Sequence, residues 1–292
     1  MIVDAHTHVW AVDGIPPAIR NYMSERGRPI QPARAEQLVE SMNRSRIDRA
    51  IVLALPPAPD QVDAVNDYVA QQAAVAADRL IPFCAVNPAD PASADAVQRR
   101  LDTGFRGLKI HGNIQQIAVD DRRLYPVYEV MQEAQLPVLF HSGGIGVRPY
   151  KDDYTRMSRF DAVACDFPNM PIILGHAGRM QYSATAQLLR KHPQIYAEIS
   201  SNIGRAPNSV WPLRELLRNV VGWAGSAHQL LFGSDWPLYD QAATFQALEG
   251  ATPEAGDPYS KDELAAIVHQ NGEAMLRKYR LISDHLATTT KE

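Results

Sequence analysis

The stretch Ile2-Val3-Asp4-Ala5-His6-Thr7-His8 sets two histidines one residue apart at the end of a short apolar run. Side chains at i and i+2 of a β-strand leave the same face. His6 and His8 are therefore expected to point the same way, with Asp4 one step deeper on that face. Two neutral imidazoles side by side are half of a zinc site. A His-x-His pair alone is a weak sign of one, but His111, His141, His176 and Asp235 also follow directly on short apolar runs. The remaining histidines, His192, His228, His269 and His285, stand in helical or loop contexts and read as surface or core residues.

The elements that must position these groups recur along the chain. Strand-like apolar runs cover 2–4, 50–55, 80–86, 104–111, 136–141, 170–176, 194–199 and 229–235. Helical patterns cover 35–46, 62–77, 91–103, 124–134, 160–167, 184–191, 210–221, 242–249 and 261–280. A loop holding Trp10, Pro16 and Pro17 follows the first strand, and a long polar loop, 143–155, follows the fifth. Strands alternating with helices imply parallel pairing, and eight such units predict an α/β fold of the (β/α)8 TIM-barrel kind. With no linker dividing it, the chain reads as one domain over 1–286, with C-terminal helices and a tail, 287–292, expected to fray. In such a barrel the C-terminal strand ends gather at one face. That gathers His6, His8, His111, His141, His176 and Asp235.

Composition narrows the partners. The chain is 46% hydrophobic and 21% charged, the balance of a soluble globular protein with a large core. Its net charge of −4 and lack of basic runs exclude nucleic acid and anionic membrane as expected partners. The apolar runs are strand-sized, too short to span a bilayer. A strand is expected from the first residues, so no signal peptide is expected ahead of it. The two cysteines, Cys84 and Cys165, form no disulfide framework, so the expected location is cytoplasmic. The expected partner is a small-molecule substrate, and a homo-oligomer is left open.

Taken together, Asp4-Ala5-His6-Thr7-His8, His141, Gly175-His176-Ala177-Gly178 and Gly233-Ser234-Asp235-Trp236-Pro237 resemble the amidohydrolase superfamily, and most closely its amidohydrolase family 2. The resemblance runs from the first strand to the eighth. That branch holds mononuclear-metal hydrolases, lactonases, and non-oxidative decarboxylases such as aminocarboxymuconate semialdehyde decarboxylase. The resemblance implies a single metal bound by His6, His8, His141 and Asp235. Zinc suits three imidazoles and a carboxylate, and manganese or iron also fit. It implies that His176 is not a ligand but a general base or an electrophile, and that Asp235 also shuttles a proton. The implied reaction is attack of metal-bound hydroxide on a small, carboxylate-bearing ester, lactone or amide. The alternative is decarboxylation of an unsaturated or aromatic acid at the same site. A metal-binding barrel without catalysis is a third reading, disfavoured because metal holding does not need His176.

Binuclear members of the superfamily carry a carbamylated lysine between two metals. Lys109 sits two residues before its strand end, with His111 following on the same face. A buried lysine needs an anionic partner. Pairing with a carboxylate such as Glu198, or contact with substrate, is expected in place of carbamylation. Arg148 and Arg179, in the loops after strands five and six, are candidates to take a substrate carboxylate bidentately or are solvated surface groups. His111 and Trp236 are further substrate-facing candidates. Trp10, Tyr150 and Tyr239, with Trp236, either wall a pocket for a ring or pack between loops.

Overall fold

The computed structural model describes residues 1–11, 14–25, 27, 33–202 and 211–282. In chain order the elements are β1 (Val3–Thr7), α1 (Pro17–Ser24), α2 (Ala35–Arg44), β2 (Arg49–Leu53), α3 (Val62–Ala74), β3 (Leu80–Ala85), α4 (Ser93–Asp102) and β4 (Leu108–Ile110). There follow α5 (Gly112–Gln115), α6 (Tyr125–Ala134), β5 (Val138–His141), α7 (Met157–Asp166), β6 (Ile172–Gly175), α8 (Tyr182–Lys191) and β7 (Ile195–Glu198). The last are α9 (Trp211–Ala224), β8 (Leu230–Leu231), α10 (Gln241–Gly250), α11 (Lys261–His269) and α12 (Asn271–Lys278). The strands pair in parallel in the order β1 to β8. The Ala5 amide donates to the Phe232 carbonyl at 2.9 Å and brings the two ends together. This is the expected (β/α)8 TIM barrel. No described helix is long and apolar enough to cross a membrane.

Period-two alternation divides the core. Ala50, Val52, Leu108, Ile110, Val138 and Phe140 face the helices, while Ile51, Leu53, Phe83, Leu139, Ile173 and Leu231 face one another inside the barrel. Met275 and Leu276 of α12 pack beneath that inner layer. The same alternation turns Lys109 inward, between outward Leu108 and Ile110.

The first strand departs from its expected phase. Asp4 pairs with Ala50, but Thr7 pairs with Val52, so β1 carries one extra residue. Such a bulge resets which side chains face in. Val3 and Ala5 join the inner layer, and past the bulge His6 and His8 line the pocket. Asp4 does not share their face. Its carboxylate accepts the Ser234 amide at 2.9 Å, the Ser234 hydroxyl at 2.6 Å and the Gln241 amide at 2.8 Å. It thereby joins β1 to the segment after β8.

Other differences are local. The Pro16-Pro17 loop contains α1, because proline at a first helical position gives up no hydrogen bond. The helix expected over 261–280 divides at Gln270. There the Asn271 side chain donates to the Ala227 and Leu230 carbonyls at 2.8 Å each. The eighth strand is two residues long, and the chain leaves the ladder before Asp235. His285 and the tail 287–292 lie outside the described residues.

Candidate active site

Three donor atoms converge where β1 meets the segment after β8. His6 Nε2 and His8 Nε2 are 3.2 Å apart. Asp235 Oδ1 lies 3.7 Å from the first and 3.6 Å from the second. Donors around a tetrahedral ion with bonds of about 2.0–2.2 Å stand about 3.3–3.6 Å apart, so the trio has the spacing of ligands. The other ring nitrogens are already held. His6 Nδ1 meets Glu198 Oε1 at 2.7 Å, and His8 Nδ1 meets the Leu53 carbonyl at 3.1 Å. Partners of this kind fix the tautomer of a metal-binding histidine and aim its free nitrogen. His141 Nε2 is buried without a hydrogen-bond partner among the described residues. The His141 ring lies edge-on to His176 at 4.8 Å and stacks on His111 at 4.0 Å. His141 lies outside the close trio of His6, His8 and Asp235, so its unpaired buried nitrogen joins them as a ligand only with a shift toward the trio. The donor set therefore fits one divalent ion. His6, His176 and Glu198 form a second close group, but the Glu198 oxygens are taken by the fixed backbone amides of His176 and Ser200 as well as by the His6 ring, which marks it as hydrogen-bonded support.

Burial sets the protonation of the site. It holds His6, His111, His141 and His176 well below the usual histidine range and takes His8 down to about 3. All five are thus neutral at pH 7, the form that ligands and bases require. Burial also pushes Asp235 up to about 7, against a 2.6 Å hydrogen bond from the Ser201 hydroxyl. Lys109 is pulled down to about 8 by burial, with Glu198 and Asp235 drawing it back up.

Glu198, at the end of β7, organises this centre. It is fully buried and accepts from His6 Nδ1 at 2.7 Å, the His176 amide at 2.5 Å and the Ser200 amide at 2.7 Å. Gly233 makes its space, since a Cβ there would come within 2.5 Å of Glu198 Oε2. His176 Nδ1 meets Ser200 Oγ at 2.7 Å and lies 3.6 Å from Glu198 Oε1. The carboxylate favours a proton on Nδ1, which leaves Nε2 as an acceptor toward the pocket. His176, Ser201 and Asp235 all hold positive φ, at 59°, 59° and 65°. Left-handed backbone at such residues costs about 1–3 kcal/mol each and collects at functional sites.

The pocket is lined by His6, His8, Lys109, His111, His141, His176, Arg179, Ser201 and Asp235, with Ile19, Tyr22, Leu55, Ile145 and Leu238 as its apolar wall. The structure places Lys109, His111 and Arg179 in the pocket lining with the histidines. It does not place Arg148 or Trp236 there. Arg148 is exposed, and Trp236 is buried with its carbonyl accepting the His8 amide at 2.8 Å. Trp10 stacks on His8 from outside the lining, and Tyr150 lines a separate groove. The expected ion pair between Lys109 and Glu198 does not form, because Glu198 spends its oxygens on His6, His176 and Ser200. Ile19 and Tyr22 of α1, like Ser200, Ser201 and the supporting role of Glu198, were not expected. The sequence signal for Glu198 was a carboxylate closing the apolar run Ile195-Tyr196-Ala197.

The family model described as Amidohydrolase, of the family-2 type, matches residues 3–278. The chain belongs to this amidohydrolase family. It is therefore an enzyme of the amidohydrolase-2 kind. A comparison with curated proteins finds no significant match. Solved structures share the fold. An uncharacterised TIM-barrel protein from Bordetella bronchiseptica is 22% identical, with a TM-score of 0.72 over 96% of this chain and 99% of its own. A probable 2-pyrone-4,6-dicarboxylic acid hydrolase from Acinetobacter baumannii, with citric acid bound, is 15% identical, with a TM-score of 0.68 over 96% and 99%. A 5-carboxyvanillate decarboxylase from Novosphingobium aromaticivorans, complexed with manganese and a nitrobenzoic acid, is 15% identical, with a TM-score of 0.69 over 95% and 96%.

Proposed function

We propose that this amidohydrolase hydrolyses a small ester, lactone or amide that carries a carboxylate, with one divalent ion held by His6, His8, His141 and Asp235. The observation that carries this reading is His176. Its Nδ1 is pinned between Ser200 and Glu198, and its neutral ring stacks on His6 at 4.7 Å. Hydrolysis requires a group that takes a proton from water and returns it to the leaving atom. His176 Nε2 suits that task, and general bases of this kind contribute about 10²–10⁴-fold. When bound, the divalent ion supplies Lewis acidity to the substrate carbonyl and to water. Asp235, oriented by Ser201, holds the second proton acceptor beside the histidines. Lys109 on the inner wall and Arg179 near the mouth attract the substrate carboxylate, and His111 completes the polar wall. Zinc suits the donor set, while manganese is present in the Novosphingobium relative.

One feature favours the second reading, decarboxylation of an unsaturated or aromatic acid. Lys109 is only 2% exposed and supplies an acid that hydrolysis does not require, whereas decarboxylation must protonate the carbon that loses CO2. The 5-carboxyvanillate decarboxylase is a fold relative with that activity in its name. The two readings separate in one experiment. The metal-loaded protein is offered lactones and esters bearing a carboxylate, and in parallel aromatic and unsaturated acids, with acid release and CO2 release followed. Hydrolysis without CO2 release is expected. CO2 release from the acids, with the esters untouched, overturns it in favour of the second reading.

A further inference from the structure

The outer layer of the barrel carries a second group of ligand-type side chains. Asp161 and Cys165 stand one turn apart on α7, a spacing that puts them on one helix face. His192 ends α8 and precedes β7. The donor atoms of Asp161, Cys165 and His192 all lie within 4.8 Å of one another. His192 is buried, Asp161 half-buried and Cys165 exposed. His192 Nε2 already aims at Asp161 Oδ1 at 2.7 Å. Its backbone carbonyl is held by the Gln229 side chain at 3.0 Å, so the ring is anchored from behind. Lys191 places its ammonium on both Asp161 oxygens, at 2.7 and 2.9 Å, and beside the Cys165 thiol. A cation thus already sits among the three donors. Lys191 is more than half exposed and is free to swing into solvent.

We propose that Asp161, Cys165 and His192 form a second cation site, outside the barrel, for a thiophilic divalent ion such as Zn2+. One sulfur, one imidazole and one carboxylate are all ligand types that zinc accepts, with water in the fourth position. On binding, Cys165 releases its thiol proton to solvent and binds as thiolate, and the Lys191 ammonium withdraws from Asp161. The site lies toward the starts of β6 and β7, away from the pocket at their ends. It does not depend on the reading of the pocket chemistry.

Co2+ added to protein already carrying its first metal equivalent tests this. A thiolate ligand gives a near-ultraviolet sulfur-to-cobalt charge-transfer band, which the pocket, having no cysteine in its lining, does not produce. Cys84 is fully buried and supplies no competing thiolate. The band is expected in the wild type, with one further equivalent bound, and is expected to vanish in Cys165→Ser. Zn2+ should slow alkylation of the thiol. His192→Gln should weaken binding at least tenfold. Lys191→Ala should strengthen it, by up to about fivefold, the worth of one exposed ion pair. No band at saturating Co2+, a band that survives Cys165→Ser, or tighter binding only with Lys191 intact would each overturn the proposal.

Discussion

Replacing Glu198 with glutamine tests how the centre is held. The carboxylate takes three donors, His6 Nδ1, the His176 amide and the Ser200 amide, all within 2.7 Å. The amide oxygen of glutamine can keep the two that share Oε1. Its NH2 group then faces the Ser200 N–H, donor against donor, and leaves one buried amide unpaired at about 1–3 kcal/mol. The two retained bonds fall from charged to neutral strength, about 1 kcal/mol each. Relief from burying a charge offsets part of this. The net loss expected for the metal-free protein is about 2–4 kcal/mol, read by urea unfolding. Loss of the carboxylate behind a ligating histidine also lowers metal affinity about 10–100-fold, read by competition with a chromophoric chelator. A variant as stable as the wild type and equally tight for metal would refute the role given to Glu198. Lower stability with unchanged affinity would reduce that role to packing.

Four other outcomes are expected. The double change of His6 and His8 to alanine should lower the divalent metal found by elemental analysis by about one ion per chain, leaving any ion at Asp161, Cys165 and His192 in place. His176→Asn should cut turnover about 10²–10⁴-fold with the pocket ion retained; loss of that ion would make His176 a ligand. Asp235→Asn should leave a folded barrel with little turnover, and near-normal turnover would remove Asp235 from the chemistry. Lys109→Met should stabilise the metal-free protein at pH 7. The folded pKa of Lys109, about 8, lies below the ordinary 10.5, so burying its charge is most costly below pH 8 and free above 10.5. The advantage of the variant should therefore be about 3 kcal/mol at pH 7 and fade as pH rises toward 10.5; an advantage that does not change with pH would contradict this.

The residues readable from sequence were those at the ends of apolar runs. His6, His8, His111, His141, His176 and Asp235 all reach the pocket because parallel strands deliver their ends to one face. Asp4 was misplaced because alternation assumes an unbroken strand, and the bulge in β1 is a pairing event with β2 that no local pattern encodes. Pro16-Pro17 concealed a helix that supplies two wall residues. Loop arginines were separable only in space: Arg179 reaches the lining and Arg148 does not, although each follows a strand. Glu198 was visible, but its partners lie on three other strands or loops, and only the fold shows that its charge is already used. His192 read as a bland outer residue because the other members of its group lie on a different helix.

The seam between β1 and the segment after β8 also governs when the centre can exist. Asp4 and Ser234 are 230 residues apart, and His6 and Asp235 are neighbours across the same junction. Contacts of such sequence separation form late, because a long loop must close before they contribute. During synthesis from the N-terminus, His6 and His8 emerge well before Asp235. A nascent chain can therefore expose its histidine pair long before Asp235 is available to close the site. Assembly of the reactive centre then reports that the last strand has docked on the first.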